Sequence, residues 1–405
     1  MKPSSKSTKP LTSGPLVLNE EAIRGCRQQP KEGPRLVFLS GGTGLKETCT
    51  ALRRHTHNST HLITPFDSGG SSAVLREAFG MLGVGDLRNR LLALAETEAP
   101  GAMATVRWLG HRLPAHAADD ALREELRRIV EGSHPLSLAL SKRVKAFSAP
   151  LLRKIENALP ADFDLRGASV GNLWLCAAYL DANRDINTAL ELFGQLVDVQ
   201  GTVRPSAMVD AHLVGVREDG TRIIGQHLFG AALPLESDAN HNRLVELELA
   251  ASLDGERLNR PAADACGLEH LAAADLICYP MGSFFTSVLA NLLPAGIGRS
   301  IARQSCPKIY VPNAGQDPEM QGYSLAQAID KLVDFASKDA GETLAVEQVL
   351  NGVLLDPENV NYCFDLDLTR IADMGVAVLE TPLGHGEPDR IDGDGLVRAL
   401  ITLAV

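Results

Sequence analysis

The chain has 405 residues, 39 Lys and Arg against 50 Asp and Glu, and a net charge of −11. Its 45% hydrophobic and 22% charged residues are ordinary for a globular protein that buries its core without disulfides. The acidic balance argues against a general nucleic-acid binder, which would show a basic face, and no apolar run is long enough to span a membrane.

The first 32 residues read as a flexible arm, Lys/Ser/Thr/Pro-rich at its start and lacking a secretion-signal core, with at most a helical turn near residues 20–26. Residues 33–405 read as a single α/β domain. Residues 35–39 form the first strand, which ends in Ser40-Gly41-Gly42-Thr43-Gly44 and runs into a helix over 45–54. A second strand over 61–65 ends in Asp67-Ser68-Gly69-Gly70-Ser71-Ser72 and a helix over 73–79. Strand, glycine turn and helix in repeated succession are the parallel βαβ pattern. The segment 91–198 has helical period throughout, with Leu122, Leu126 and Ile129 on one face and Ile186, Ala189, Leu190 and Phe193 on another. It reads as a helical insertion. The period then changes to a β-hairpin over 211–217 and 221–227 about Glu218-Asp219-Gly220, with a further strand over 244–249. Strands return at 275–280, 308–312 and 375–379, with helices over 285–293, 324–337 and 395–404. The seven cysteines form no Cys-x-x-Cys pair and lie mostly in apolar runs, which fits free thiols in the reducing cytoplasm.

Several motifs fall where such a fold binds ligands. A strand that turns directly into a helix leaves the helix's first N–H groups unpaired, and glycine lets the backbone approach an anion closely. Gly41, Gly42, Thr43 and Gly44 supply one such turn, although no Lys-Ser/Thr pair follows as in a P-loop. Ser68, Gly69, Gly70, Ser71 and Ser72 supply a second, followed by Arg76. Asp67, at a strand end, is placed to hold Mg²⁺ or a ribose hydroxyl. Asp86, Arg88 and Asn89 in Gly85-Asp-Leu-Arg-Asn offer a helix cap and a guanidinium fork for phosphate. Asn172, in Ser169-Val-Gly-Asn, could read a base or sugar edge, or mark only a helix start. Gly282 and Ser283 repeat the strand–turn geometry, and Asn313 follows the next strand on the same edge. No histidine spacing marks a metal centre. His385 near Glu387 and Asp389 reads as part of a solvated loop.

Taken in order, Ser40-Gly-Gly-Thr-Gly44, Asp67-Ser-Gly-Gly-Ser-Ser72, Gly85-Asp-Leu-Arg-Asn89, Ser169-Val-Gly-Asn172 and Gly282-Ser283 through Asn291-Leu-Leu293 resemble the CofD/YvcK family over residues 35–400. That family contains 2-phospho-L-lactate transferases and YvcK-type gluconeogenesis factors. The resemblance implies a Rossmann-like parallel sheet with helices on both faces, a nucleotide-diphosphate or sugar-nucleotide ligand across its C-terminal edge, and Mg²⁺. In the transferase branch an alcohol attacks a nucleotide-activated donor, and Asp67 would be the catalytic and metal-binding carboxylate. In the YvcK branch binding regulates without catalysis. Three departures mark a side branch. Ser68 stands where the family has a second acid, Gln316-Asp-Pro-Glu319 replaces a Gly-Glu-Thr-type loop, and His385 and Asp389 are not adjacent. A homodimer is expected, with the insertion covering the site or forming the interface.

Overall fold

The computed structural model describes residues 11–42, 44–229, 243–384 and 386–405, so Thr43 and His385 lie outside the described residues. Among the described residues, twelve strands form two sheets. They are β1 Gly14–Pro15, β2 Leu36–Ser40, β3 Thr60–Ile63, β4 Thr202–Pro205, β5 His212–Arg217, β6 Arg222–Ile224, β7 Leu244–Ala250, β8 Arg257–Leu258, β9 Leu276–Tyr279, β10 Lys308–Tyr310, β11 Gly352–Leu355 and β12 Ala377–Glu380. The main sheet has eight strands in the order β1-β12-β11-β10-β9-β2-β3-β4, and every pair is parallel. This is the expected α/β architecture.

Strands β2, β3, β9, β10 and β11 are buried at every residue, as a parallel sheet covered on both faces requires. Alternate side chains feed two cores. Leu36 and Phe38 of β2, with Cys278 of β9, join the core under the helical insertion. Val37, Leu39, Ile277 and Tyr279 join the opposite core, which the small sheet and the helix Leu325–Ala340 cover. The expected insertion lies between β3 and β4 as helices Ala102–Gly110, Asp119–Glu131, Pro135–Leu138, Lys142–Ala158, Val170–Asp181 and Ile186–Val197. The expected hairpin is β5–β6, widened by β7 and β8 into an antiparallel sheet of order β6-β5-β7-β8.

Two expectations are corrected. Residues 14–32 are not a loose arm: β1 extends the main sheet along β12, and Ile23 of the helix Glu20–Gln28 is buried in the first core. The helix expected over 285–293 is a π-helical turn at Phe284–Val288 followed by a tighter turn at Leu289–Leu292. At the far end of the β2–β9 seam, Arg35 clamps Asp275 through Nε to Oδ2 at 3.0 Å and Nη2 to Oδ1 at 2.8 Å. Among the described residues, no helix is long and apolar enough to cross a membrane.

Candidate functional site

The chain leaves β2 towards β3 and β4 on one side of the sheet, and leaves β9 towards β10, β11 and β12 on the other. Successive segments therefore part at the β2–β9 seam, and at such a switch point parallel sheets form their ligand crevice at the strands' C-terminal ends. The two turns that border it are pressed together. A Cβ on Gly44 would lie 2.7 Å from the Met281 carbonyl oxygen, one on Gly41 2.4 Å from Ser287 Oγ, and one on Gly42 2.1 Å from Asp86 Oδ1. These glycines are there for close approach. Buried Arg90 fastens the turn, donating from Nη2 to the Gly41 carbonyl at 2.7 Å and from Nη1 to Cys49 Sγ at 2.9 Å. Asn291 Nδ2 ties the Ser40 carbonyl, at 3.1 Å, to that of Ser287, at 2.7 Å.

After β3, Asp67 Oδ1 accepts the Gly69 N–H at 3.0 Å, and Gly70 opens the helix Gly70–Phe79 with φ +48. Among the described residues, no side chain caps that helix and nothing lies within 4 Å of a Cβ placed on Gly70. Its first N–H groups therefore lack a side-chain partner among the described residues, the arrangement in which a helix start can receive an anion. The hydroxyls nearby have protein partners. Ser71 Oγ accepts from Asn172 Nδ2 at 2.8 Å, and Ser72 Oγ accepts the Gly85 N–H at 2.9 Å. Ser68 Oγ lies 2.9 Å from His227 Nδ1. Arg76 is drawn inward, donating to Asp210 Oδ1 at 2.8 Å and to the carbonyls of Asp67 and Ala211 at 3.0 and 2.7 Å. It braces the Asp67 turn and joins it to the small sheet.

Asp86 and Arg88 project from the helix Gly85–Ala93. Burial, and next the charge of Asp67, push the Asp86 carboxyl up to about 6, against the pull of Arg90, the Gly42 N–H and Arg88. Burial, and next Arg112, bring the Arg88 guanidinium down to about 10. Arg88 Nε donates to Asn172 Oδ1 at 3.0 Å, while its buried Nη2 has no hydrogen-bond partner among the described residues. Gly171 permits this pairing, since a Cβ there would meet the Leu109 carbonyl at 2.6 Å and Arg88 Cγ at 3.0 Å. Asn89 and Asn313 are half-buried, and neither side chain makes a hydrogen bond among the described residues.

The third turn differs from expectation. Gly282, at φ +145, and Ser283 border the Gly44 turn, yet the N–H groups behind them are already taken. The Phe284 N–H donates to Asp317 Oδ2 at 3.0 Å, those of Phe285 and Thr286 donate to Glu319 Oε2 at 2.8 Å each, and Thr286 Oγ1 donates to Glu319 Oε1 at 2.8 Å. The loop that departs from the family pattern supplies both acids. Arg90 and His227 were not singled out from the sequence, and Asn291, Asp317 and Glu319 entered only through the family pattern, with no role given to them. The one local signal was Asp317-Pro318, an N-cap followed by proline.

A family model described as 2-phospho-L-lactate transferase CofD matches residues 36–384. A Nostoc protein provisionally described as a gluconeogenesis factor is 30% identical over 319 residues, 78% of this chain and 55% of that protein, so the match spans about half of its length. The gluconeogenesis factor of Halalkalibacterium halodurans is 26% identical over 74% of this chain and 73% of its own. A crystal structure of a UPF0052 family protein from Bacillus halodurans superposes with a TM-score of 0.67 at 21% identity, covering 91% of this chain and 99% of that one. With the ordered glycine turns, the parallel sheet and the family match over most of its length, the chain belongs to the CofD family.

Proposed function

We propose that the protein binds a nucleoside diphosphate, free or as a sugar nucleotide, across the β2–β9 crevice together with Mg²⁺, and that binding has a regulatory output. The observation that carries this reading is the pair Asp67 and Asp86 beside the uncapped helix at Gly70. A diphosphate at those N–H groups would face two carboxylates, a repulsive arrangement unless a cation lies between them. Their all-oxygen donor set suits Mg²⁺, which binds through one or two carboxylates plus phosphate oxygens and would neutralise the ligand's charge. Asp67 and Asp86 would hold the ion, the Gly70–Ser72 amides the phosphate oxygens, and Arg88, braced by Asn172, a further anionic oxygen. The description of the curated relatives as gluconeogenesis factors supports the regulatory output.

A second reading is transfer of a phosphorus-containing group from a nucleotide-activated donor to an alcohol. The description of the family model favours it, as does the paired carboxylate arrangement, which restores the second acid that Ser68 removes from the sequence motif. Thermal shift with GDP, UDP, UDP-sugars, ADP and NAD, each with and without Mg²⁺, tests the binding. A ligand at a hundred times its Kd stabilises by about 2.7 kcal/mol. Absence of any shift across the panel would defeat the proposal. Unchanged donor after incubation with alcohols, read by phosphorus NMR, would remove the transferase reading while leaving the binder intact.

A further inference from the structure

We infer that His111, Glu125 and His134 form a binding site for a zinc-class divalent cation on the helical insertion. His111 caps the C-terminus of the helix Ala102–Gly110, and Glu125 lies in the following helix Asp119–Glu131. Gly132, at φ +81, then reverses the chain, and the Ser133 and His134 N–H groups both bond back to the Arg128 carbonyl. That reversal returns His134 to the flank of Glu125. His111 Nε2 lies 2.8 Å and His134 Nε2 3.8 Å from Glu125 Oε1. One donor atom from each residue falls within 4.8 Å of the others.

The chemistry selects the ion. Two imidazole nitrogens and one carboxylate oxygen are a zinc donor set, whereas Mg²⁺ requires oxygen. A tetrahedral zinc ion with bonds of about 2.0–2.1 Å spaces its ligand atoms roughly 3.3 Å apart, which falls between the two distances here. All three side chains are partly exposed, at 25%, 21% and 13%, which gives the ion an entry path and room for a water as fourth ligand. One local contact must yield. His134 Nδ1 accepts the Leu136 N–H at 3.3 Å, so ligation through Nε2 moves the imidazole proton to Nδ1 and exchanges that long hydrogen bond for a coordinate bond.

The position gives the ion a structural consequence. The His111 carbonyl accepts the Val170 N–H at 3.0 Å, and the Leu113 N–H donates to the Ala168 carbonyl at 2.9 Å. The residues that enter the helix carrying Asn172 are therefore strung from the segment the ion would fix. This inference is independent of the ligand proposed for the crevice.

The test uses untagged full-length protein stripped with chelator and titrated with Zn²⁺ alone. Stoichiometric binding is expected, together with a rise in Tm that Mg²⁺ does not reproduce. His134→Gln and Glu125→Gln should each weaken zinc by about tenfold or more, the scale on which metal sites respond even to loss of outer partners. Zinc retained equally by both variants, or no stoichiometric zinc in the wild type, overturns the site. Should a variant fail to fold, the cobalt(II) absorption spectrum of the wild type decides: tetrahedral intensity supports the site, and a spectrum of hydrated cobalt overturns it.

Discussion

The charge of Asp67 acts on Asp86 across the turn between β3 and the following helix, and is second only to burial in pushing the Asp86 carboxyl up to about 6. A carboxyl whose folded value lies above its ordinary one costs stability when ionised. That cost is fully present above the folded value and disappears as pH falls to the ordinary value. Asp86→Asn should therefore stabilise the ligand-free protein near pH 8 by roughly 1–3 kcal/mol, at 1.36 kcal/mol per unit, with the gain vanishing towards acid. Denaturant melts at two pH values check it, and equal stability of both proteins at alkaline pH would contradict the arrangement. Cation binding requires the ionised pair, so Mg²⁺-dependent ligand affinity should fall as pH drops through about 6.

Two glycines of the site make opposite predictions. A Cβ on Gly42 would land 2.7 Å from Asp86 Cα, on backbone that cannot step aside, whereas one on Gly69 finds its nearest atom at 3.5 Å. Gly42→Ala should destabilise by about 1–3 kcal/mol as an overpacked position and abolish ligand binding. Gly69→Ala should stay within about 0.5 kcal/mol of wild type. Thermal melts with and without ligand distinguish the pair.

Asn172 serves Arg88 and Ser71 at once, at 3.0 and 2.8 Å. Asn172→Ala removes the acceptor from a buried guanidinium whose Nη2 already has no partner among the described residues. The expected loss is about 1–3 kcal/mol for the orphaned donor, with weaker ligand binding. Arg88→Lys keeps the charge but loses the planar fork, so ligand affinity should fall while the melt changes less than for Asn172→Ala.

Glu319 distinguishes charge from hydrogen bonding. Burial, and then the charge of Asp317, raise its carboxyl above the ordinary range. By the same sign, its ionisation lowers stability as pH rises. Glu319→Gln keeps an oxygen for the Phe285 and Thr286 N–H groups and can donate to Thr286 Oγ1, so it should exceed wild type in stability near pH 8. Glu319→Ala orphans both N–H groups at about 1–3 kcal/mol each and should fall below wild type. Urea midpoints of the three proteins give the order.

The sheet's centre was legible because β2, β3 and β9 are apolar runs each followed by a glycine turn. β11, Gly352–Leu355, went unread because no glycine turn follows it. β4 contains Arg204 and Pro205 and resembles a loop; it is tolerated because it is the last strand of its sheet. Within the site, the glycines and Asp67 announce themselves locally. Glu319 does not, since its partner Thr286 is 33 residues away and only the fold brings them together. Arg76 was read as a ligand group for the converse reason: its position beside a Ser/Gly turn was visible, while Asp210 and Ala211, which claim its guanidinium, were not.

The Arg35–Asp275 clamp closes a loop of 240 residues. β2 finds β3 early along the chain but meets β9 only after the whole insertion and the small sheet have been synthesised. Contacts of such sequence separation form late, because the entropy of the enclosed chain is lost before they are gained. The crevice lies on a seam that closes late, so the folding chain completes it only after every segment between β3 and β9 has been made. A ligand bound there would select chains in which β2 and β9 have paired over chains in which they have not.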